Sequence, residues 1–230
     1  MSSVKVLGIN SSPRKYGNSY KLLRIALRAA EEEGAGVEVL HLYDYEIRPC
    51  KGCVSDRATK CKYPCIIDDD MKYLYDKVLS ADALIISTPI YWFDVSGQLK
   101  NFIDRLTALE NMILFDGRSW LEGKVAGVIV CGNDGGAVHV ASTLLATLND
   151  MGIHIPPWAM VYYVGKDDVL KVKDKLLDAA NLGKIIVKAV KLLKGIKTWY
   201  DPSMLTRVES YWVREVLREI ETTPKVPKSK

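Results

Sequence analysis

Long apolar runs are missing from this sequence. The longest, such as Val125–Cys131, fall far short of the roughly 20 residues that cross a bilayer, so no membrane-spanning segment is expected. Charge of one sign is also scarce. With 32 Lys and Arg against 28 Asp and Glu, the net charge of +4 is too small to point to a nucleic-acid partner. No G-x-x-x-x-G-K-S/T occurs, and no G-x-G-x-x-G follows the first apolar run, which argues against a P-loop nucleoside triphosphatase and a dinucleotide Rossmann site. No cysteine precedes Cys50, so a phosphatase loop with a thiolate nucleophile has no candidate there. Ser, His and Asp do not stand at hydrolase-like spacing. Internal repeats and low-complexity segments are absent as well. Met1-Ser2-Ser3 leads straight into an apolar run; no signal peptide is expected, and a cytoplasmic location is.

The stretch that is informative is Val4–Ser19, VKVLGINSSPRKYGNS. An apolar run ends at Asn10-Ser11-Ser12-Pro13, and after Tyr16-Gly17-Asn18 a helical pattern begins, with Asn18 or Ser19 expected to cap it. This reads as strand, loop, helix. In an open α/β sheet such a loop lies at the carboxyl end of a strand, where helix amides and the helix dipole favour a phosphate. Ser11, Ser12, Asn18 and Ser19 offer donors, and Arg14 and Lys15 offer positive charge. An anion cradle without a nucleophile suits a phosphate that is held rather than transferred.

Further strands are expected at Val37–Leu42, Ala83–Thr88, Lys124–Cys131 and Trp158–Val164. Apolar residues at helical spacing separate them, so the fold class is α/β, a doubly wound five-stranded parallel sheet. His41 reads as structural. The second functional stretch is Pro89-Ile90-Tyr91-Trp92-Phe93, whose aromatics at a strand end can pack on a flat heteroaromatic ring. Gly132-Asn133-Asp134-Gly135-Gly136 is the third, since glycines at Gly132, Gly135 and Gly136 permit close backbone approach and Asn133 sits among them. In the helix after Ser96, Lys100 and Arg105 read as solvated charges. Glu110–Gly123 reads as a surface excursion, with Phe115, Trp120 and Leu121 either available to a second subunit or folded back on their own core. The acidic run Asp68-Asp69-Asp70 reads as the start of a helix. A long helix near 169–194 carries lysines on one face, expected in water rather than on a membrane.

Four of the five cysteines lie between Cys50 and Cys65. C-x2-C at Cys50 and Cys53 lets one loop present two thiolates, and Cys61 and Cys65 can complete a sulfur site for a [4Fe-4S] cluster or zinc. Reduced thiols or an occasional disulfide are the alternative. A thioredoxin-like reading is disfavoured because no helical pattern starts at Cys53.

Val4–Ser19, Thr88–Trp92 and Ser96–Arg105 together resemble the NADPH-dependent FMN reductase family and its iron-sulfur flavoprotein branch, over roughly residues 4 to 165. The resemblance implies a flavodoxin-like fold, with the first loop on the FMN phosphate and Pro89, Ile90, Tyr91 and Trp92 against the isoalloxazine ring. It implies electron transfer from NADH or NADPH to a quinone, free flavin, metal ion or another protein, and a homodimer or homotetramer. No catalytic side chain is named, because the chemistry belongs to the cofactor. The iron-sulfur branch usually has C-x2-C-x2-C, but Asp56 stands at the third position. Two other functions remain open: an iron-sulfur electron carrier, and a non-catalytic flavodoxin-like binding protein. The expected organisation is an FMN-binding domain over 1–195 and a C-terminal helical extension over 196–230, ending in a frayed Pro- and Lys-rich tail from Thr222.

Overall fold

The computed structural model describes residues 3–196 and 198–222; the tail beyond Thr222 lies outside the described residues. Strands β1 (Lys5–Asn10), β2 (Gly36–His41), β3 (Ala83–Pro89), β4 (Val125–Gly132) and β5 (Met160–Val164) form one parallel sheet. Its order is β2-β1-β3-β4-β5, the flavodoxin-like arrangement in which the strand order reverses between β1 and β3. In the register, Asn10 lies beside Ser87, Thr88 beside Val130, and Gly132 beside Val164, so the carboxyl ends of the central strands reach one level. The central strands are buried almost throughout, as expected where helices cover both faces.

Along the chain the helices are α1 (Asn18–Glu32), α2 (Cys53–Asp56), α3 (Met71–Ser80), α4 (Gly97–Glu110), α5 (Ile113–Asp116), α6 (Ala137–Asp150) and α7 (Lys173–Leu193). One sheet face is covered by α1 and α7 through Leu22, Leu23, Leu27, Leu182, Ile186 and Val187. The other is covered by α3, α4 and α6 through Met71, Leu74, Leu99, Phe102, Leu106, Val140 and Leu144. Gly183 sets the distance between α1 and α7. A Cβ there would stand 1.8 Å from the carbonyl oxygen of Ala26, so no larger residue fits this crossing.

The chain divides into two compact units, one up to Trp199 and one from Tyr200. In the second, α8 (Met204–Arg207), a π-helical turn (Val208–Trp212) and α9 (Val213–Thr222) follow without a break. Tyr211, Val216 and Ile220 are exposed there.

Several local expectations are corrected. Gly17 occupies the N-cap of α1, and no side chain caps it; Asn18 and Ser19 are already helical. A one-turn helix does begin at Cys53. In the 110–123 segment Leu121 is buried. Trp120 donates through Nε1 to Asp116 at 2.6 Å and packs its ring on Tyr63, so both serve their own unit. Arg105 is not solvated: it is 1% exposed and paired with Asp69.

Candidate functional site

Loops at the carboxyl edge of β1, β3, β4 and β5 surround a cleft of about 410 Å³. Hydrogen bonds lace these loops to one another. Ser11 donates through both its N–H and its hydroxyl to the carbonyl of Ser87, each at 2.9 Å, and its own carbonyl accepts from the Ser96 hydroxyl at 2.8 Å. The Ile90 N–H donates to the carbonyl of Cys131 at 2.8 Å, and the Gly165 N–H to that of Gly132 at 2.9 Å. Asn18 closes the ring. Its amide donates to the carbonyl of Asp167 at 2.9 Å, and its Oδ1 accepts from the N–H of Val169 at 3.2 Å.

The structure brings Ser12, Arg14, Asn18, Ser19, Pro89, Ile90, Tyr91, Gly132 and Asn133 to the wall of this cleft. Ser11, Trp92, Gly135 and Gly136 are not on that wall. Ser11 is wholly buried as a tie between loops, and Trp92 is 95% exposed. Trp92 and Phe93 form the tip of a tight turn closed by two hydrogen bonds between Tyr91 and Asp94. Both have positive φ, 50° and 63°, a conformation that strains non-glycine residues. Phe93 rests on Gly136, where a Cβ would meet its ring at 2.8 Å and where φ is +92°. Ile90 likewise occupies the space a Cβ on Gly132 would need. These two glycines therefore seat the second loop against the third.

Gly165–Asp168, after β5, also line the cleft and were missed in the sequence. The available signal was position: a Gly-Lys-Asp-Asp turn at the carboxyl end of the fifth strand. Lys21 pairs with Asp168 at 2.8 Å, and this hydrogen bond holds the Asp168 carboxyl below its ordinary range. Lys15 is committed to Asp44 at 2.5 Å. Arg14 is the cation of the first loop that faces the cleft. The first helical amides of α1 lack both intrahelical carbonyl partners and a side-chain cap, so they and the Arg14 charge fit a phosphate ester. Cys131 lies beside Ser19 on the same wall; burial pushes its thiol up to about 12, which makes it a packing group rather than a nucleophile.

A second, smaller pocket is lined by Cys50, Cys53, Cys61 and Cys65. Gly52, at φ +67°, turns the chain between the first two. Asn111 holds the next segment by donating to the carbonyls of Ala58 and Cys61. Burial, with the charges of the other three cysteines behind it, pushes the Cys61 thiol up to about 11. Among the described residues, no three His, Cys, Asp or Glu side chains are gathered tightly enough for a single ion. A tetrahedral zinc site needs each sulfur about 2.3 Å from the metal, whereas a four-iron cluster spaces its thiolates farther apart. Four cysteines around one pocket, with a buried guanidinium whose Nε lacks a partner, are the donor set and the cation that an anionic cluster would need. Asp56, at the third position of the usual motif, is exposed and pairs with Lys60.

An uncapped helix start facing a cleft at the switch point of a 2-1-3-4-5 sheet is the arrangement in which open α/β domains place phosphate-bearing ligands. The model of the NADPH-dependent FMN reductase family matches residues 4–166, and the chain belongs to that family of flavin oxidoreductases. An iron-sulfur flavoprotein of Archaeoglobus fulgidus is 35% identical over 187 residues, covering 81% of this chain and 80% of that protein. One from Methanocaldococcus jannaschii is 34% identical over 206 residues, covering 83% of this chain and 100% of the relative. Among solved structures, RosB with bound 8-demethyl-8-formylriboflavin-5'-phosphate shares the fold. Its TM-score is 0.71 at 21% identity, over 99% of this chain and 91% of that one. No helix among the described residues is long and apolar enough to cross a membrane.

Proposed function

We propose that this protein holds FMN in the 410 Å³ cleft, receives electrons from NADH or NADPH, and passes them to a quinone, free flavin, metal ion or protein acceptor. The observation that carries this reading is the start of α1, whose amides meet the cleft beside Arg14 with no side chain capping them. Flavin, when bound, supplies hydride acceptance and electron delivery; the residues supply placement. The α1 amides, Ser12 and Arg14 would hold the phosphate. Pro89, Ile90 and Tyr91 would orient the ring, and Asn133 and the neighbouring backbone would meet its polar edge. Inter-loop hydrogen bonds keep these groups in place without reorganisation when a nicotinamide docks. The exposed stripe through Tyr211, Val216 and Ile220 supports assembly into a homodimer or homotetramer.

A second reading is favoured by the four-cysteine pocket and by relatives named iron-sulfur flavoproteins. In it the protein exchanges electrons between FMN and a [4Fe-4S] cluster at Cys50, Cys53, Cys61 and Cys65, without nicotinamide. Anaerobic addition of NADPH, then NADH, to the purified protein separates the two. Bleaching of the two visible flavin bands within the mixing time of a cuvette is expected for the reductase. Bands that bleach only with dithionite would reject nicotinamide as donor and leave the carrier.

A further inference from the structure

Beneath the four thiols lies an ion pair that the flavin cleft does not use. Arg105 of α4 is 1% exposed, and the Asp69 side chain is wholly buried. Arg105 Nη1 donates to Asp69 Oδ2 at 2.7 Å and to the carbonyl of Arg48 at 3.1 Å. Nη2 donates to Asp69 Oδ1 at 3.1 Å. Asp69 also accepts from the N–H groups of Arg48 and Met71, at 2.9 and 3.1 Å. The pair is thus fully engaged except at one atom. Arg105 Nε–H is buried with no acceptor, a loss that native interiors seldom leave uncompensated.

The orphaned donor belongs to a residue that lines the cysteine pocket, whereas Asp69 does not line it. The pair therefore turns its positive end toward the thiols. Cys65 and Arg105 line the same pocket, and Tyr75, which donates to the Arg105 carbonyl at 2.7 Å, lies close enough to Cys65 for the thiol to bear on both. Lys51, Lys60 and Lys62 also border the pocket, but they are exposed and screened by water. Asp104, on the same wall, is paired with Lys100 at 2.6 Å.

We propose that Arg105 is a positioning residue whose Nε–H and charge act on cluster sulfur at the Cys65 side of this pocket and raise the cluster's reduction potential. This rests on the reading that the four cysteines hold a [4Fe-4S] cluster. Reduction adds one electron and one negative charge, with no proton required. A buried cation stabilises the reduced form, as hydrogen bonds and charge near cluster sulfurs generally do.

The test uses full-length protein reconstituted anaerobically with iron and sulfide, reduced by dithionite through mediators, and read by electron paramagnetic resonance. Asp69→Asn keeps the cation and removes its counter-charge. Its reduction equilibrium is expected to move at least tenfold toward the reduced state, which is +59 mV for one electron. Asp69→Asn with Arg105→Gln removes both charges and is expected to move it tenfold the other way. A merely structural pair would lower stability in both variants and shift neither potential. A measurement on the wild type needs no variant: with 15N-arginine incorporated, pulsed resonance of the reduced cluster should show a nitrogen coupling from a guanidinium. A loaded cluster with no such coupling, or with wild-type potentials in both variants, would overturn the role of Arg105 alone. Wild-type protein that takes up no iron would instead remove the cluster reading on which it rests.

Discussion

The Asn10 amide spans 2.9 Å to Nδ1 of His41 and donates to the carbonyl of Lys15 at 3.1 Å, so one side chain ties the end of β2 to the first loop. In that contact Nδ1 must be the acceptor, which requires a neutral imidazole. Burial, and then the charge of Lys15, lowers the pKa of His41 below its usual value. The folded state therefore resists protonation more than the unfolded chain does. The contribution is intact above about pH 6.5 and is lost as pH falls from there through the lowered folded value. Thermal unfolding followed from pH 7 to 5 should show the wild-type midpoint falling more steeply than that of His41→Gln. His154, also lowered by burial, contributes equally to both proteins, so coincident profiles would remove His41 as the cause. The burial of Arg105 is partly legible in the sequence. The residue follows Phe102 by three and precedes Leu109 by four, which puts it on the apolar side of α4. Helical periodicity contained that signal, but its partner Asp69 lies 36 positions away and no local pattern names it.

Among the elements, the strands were the most legible, because a buried parallel strand must be an unbroken apolar run. Ala83–Thr88 and Lys124–Cys131 lie within a residue of β3 and β4. The start of β5 was placed two residues early, since Trp158 and Ala159 continue the apolar pattern but Trp158 turns to φ 63° and is exposed. The helix cap at Asn18 was misplaced because its side chain satisfies a loop about 150 residues on, a competition invisible in a local window. Gly183 lies inside the long helix expected near 169–194 with no local pattern to single it out, yet it fixes how closely α1 lies to α7. Gly183→Ala should cost about 1–3 kcal/mol from overpacking against the Ala26 backbone, seen as a lower urea midpoint with an unchanged slope. An unchanged midpoint would mean the two helices separate freely.

For the molecule as a whole, the sequence located the three loops that meet at the sheet's carboxyl edge, and the structure adds the fourth, Gly165–Asp168. It could not divide those residues into ones that face the cleft and ones that hold the loops together. That division depends on register and long-range hydrogen bonds, which send Ser11 into the interior and Trp92 into water. The same limit applies to the cysteines: their spacing suggested a sulfur site, while the buried guanidinium beside it emerged only in three dimensions. The proposed flavin site depends on the first loop as the seat of the phosphate, and the direct measurement is equilibrium titration of flavin-free protein with FMN, followed by quenching of flavin fluorescence. One FMN per chain is expected. Ser12→Ala with Arg14→Ala should weaken binding roughly 10- to 100-fold, the loss of about 1.5–3 kcal/mol of charge-assisted hydrogen bonding, while riboflavin, which has no phosphate, binds both proteins alike. Undiminished FMN affinity in the double variant would contradict it.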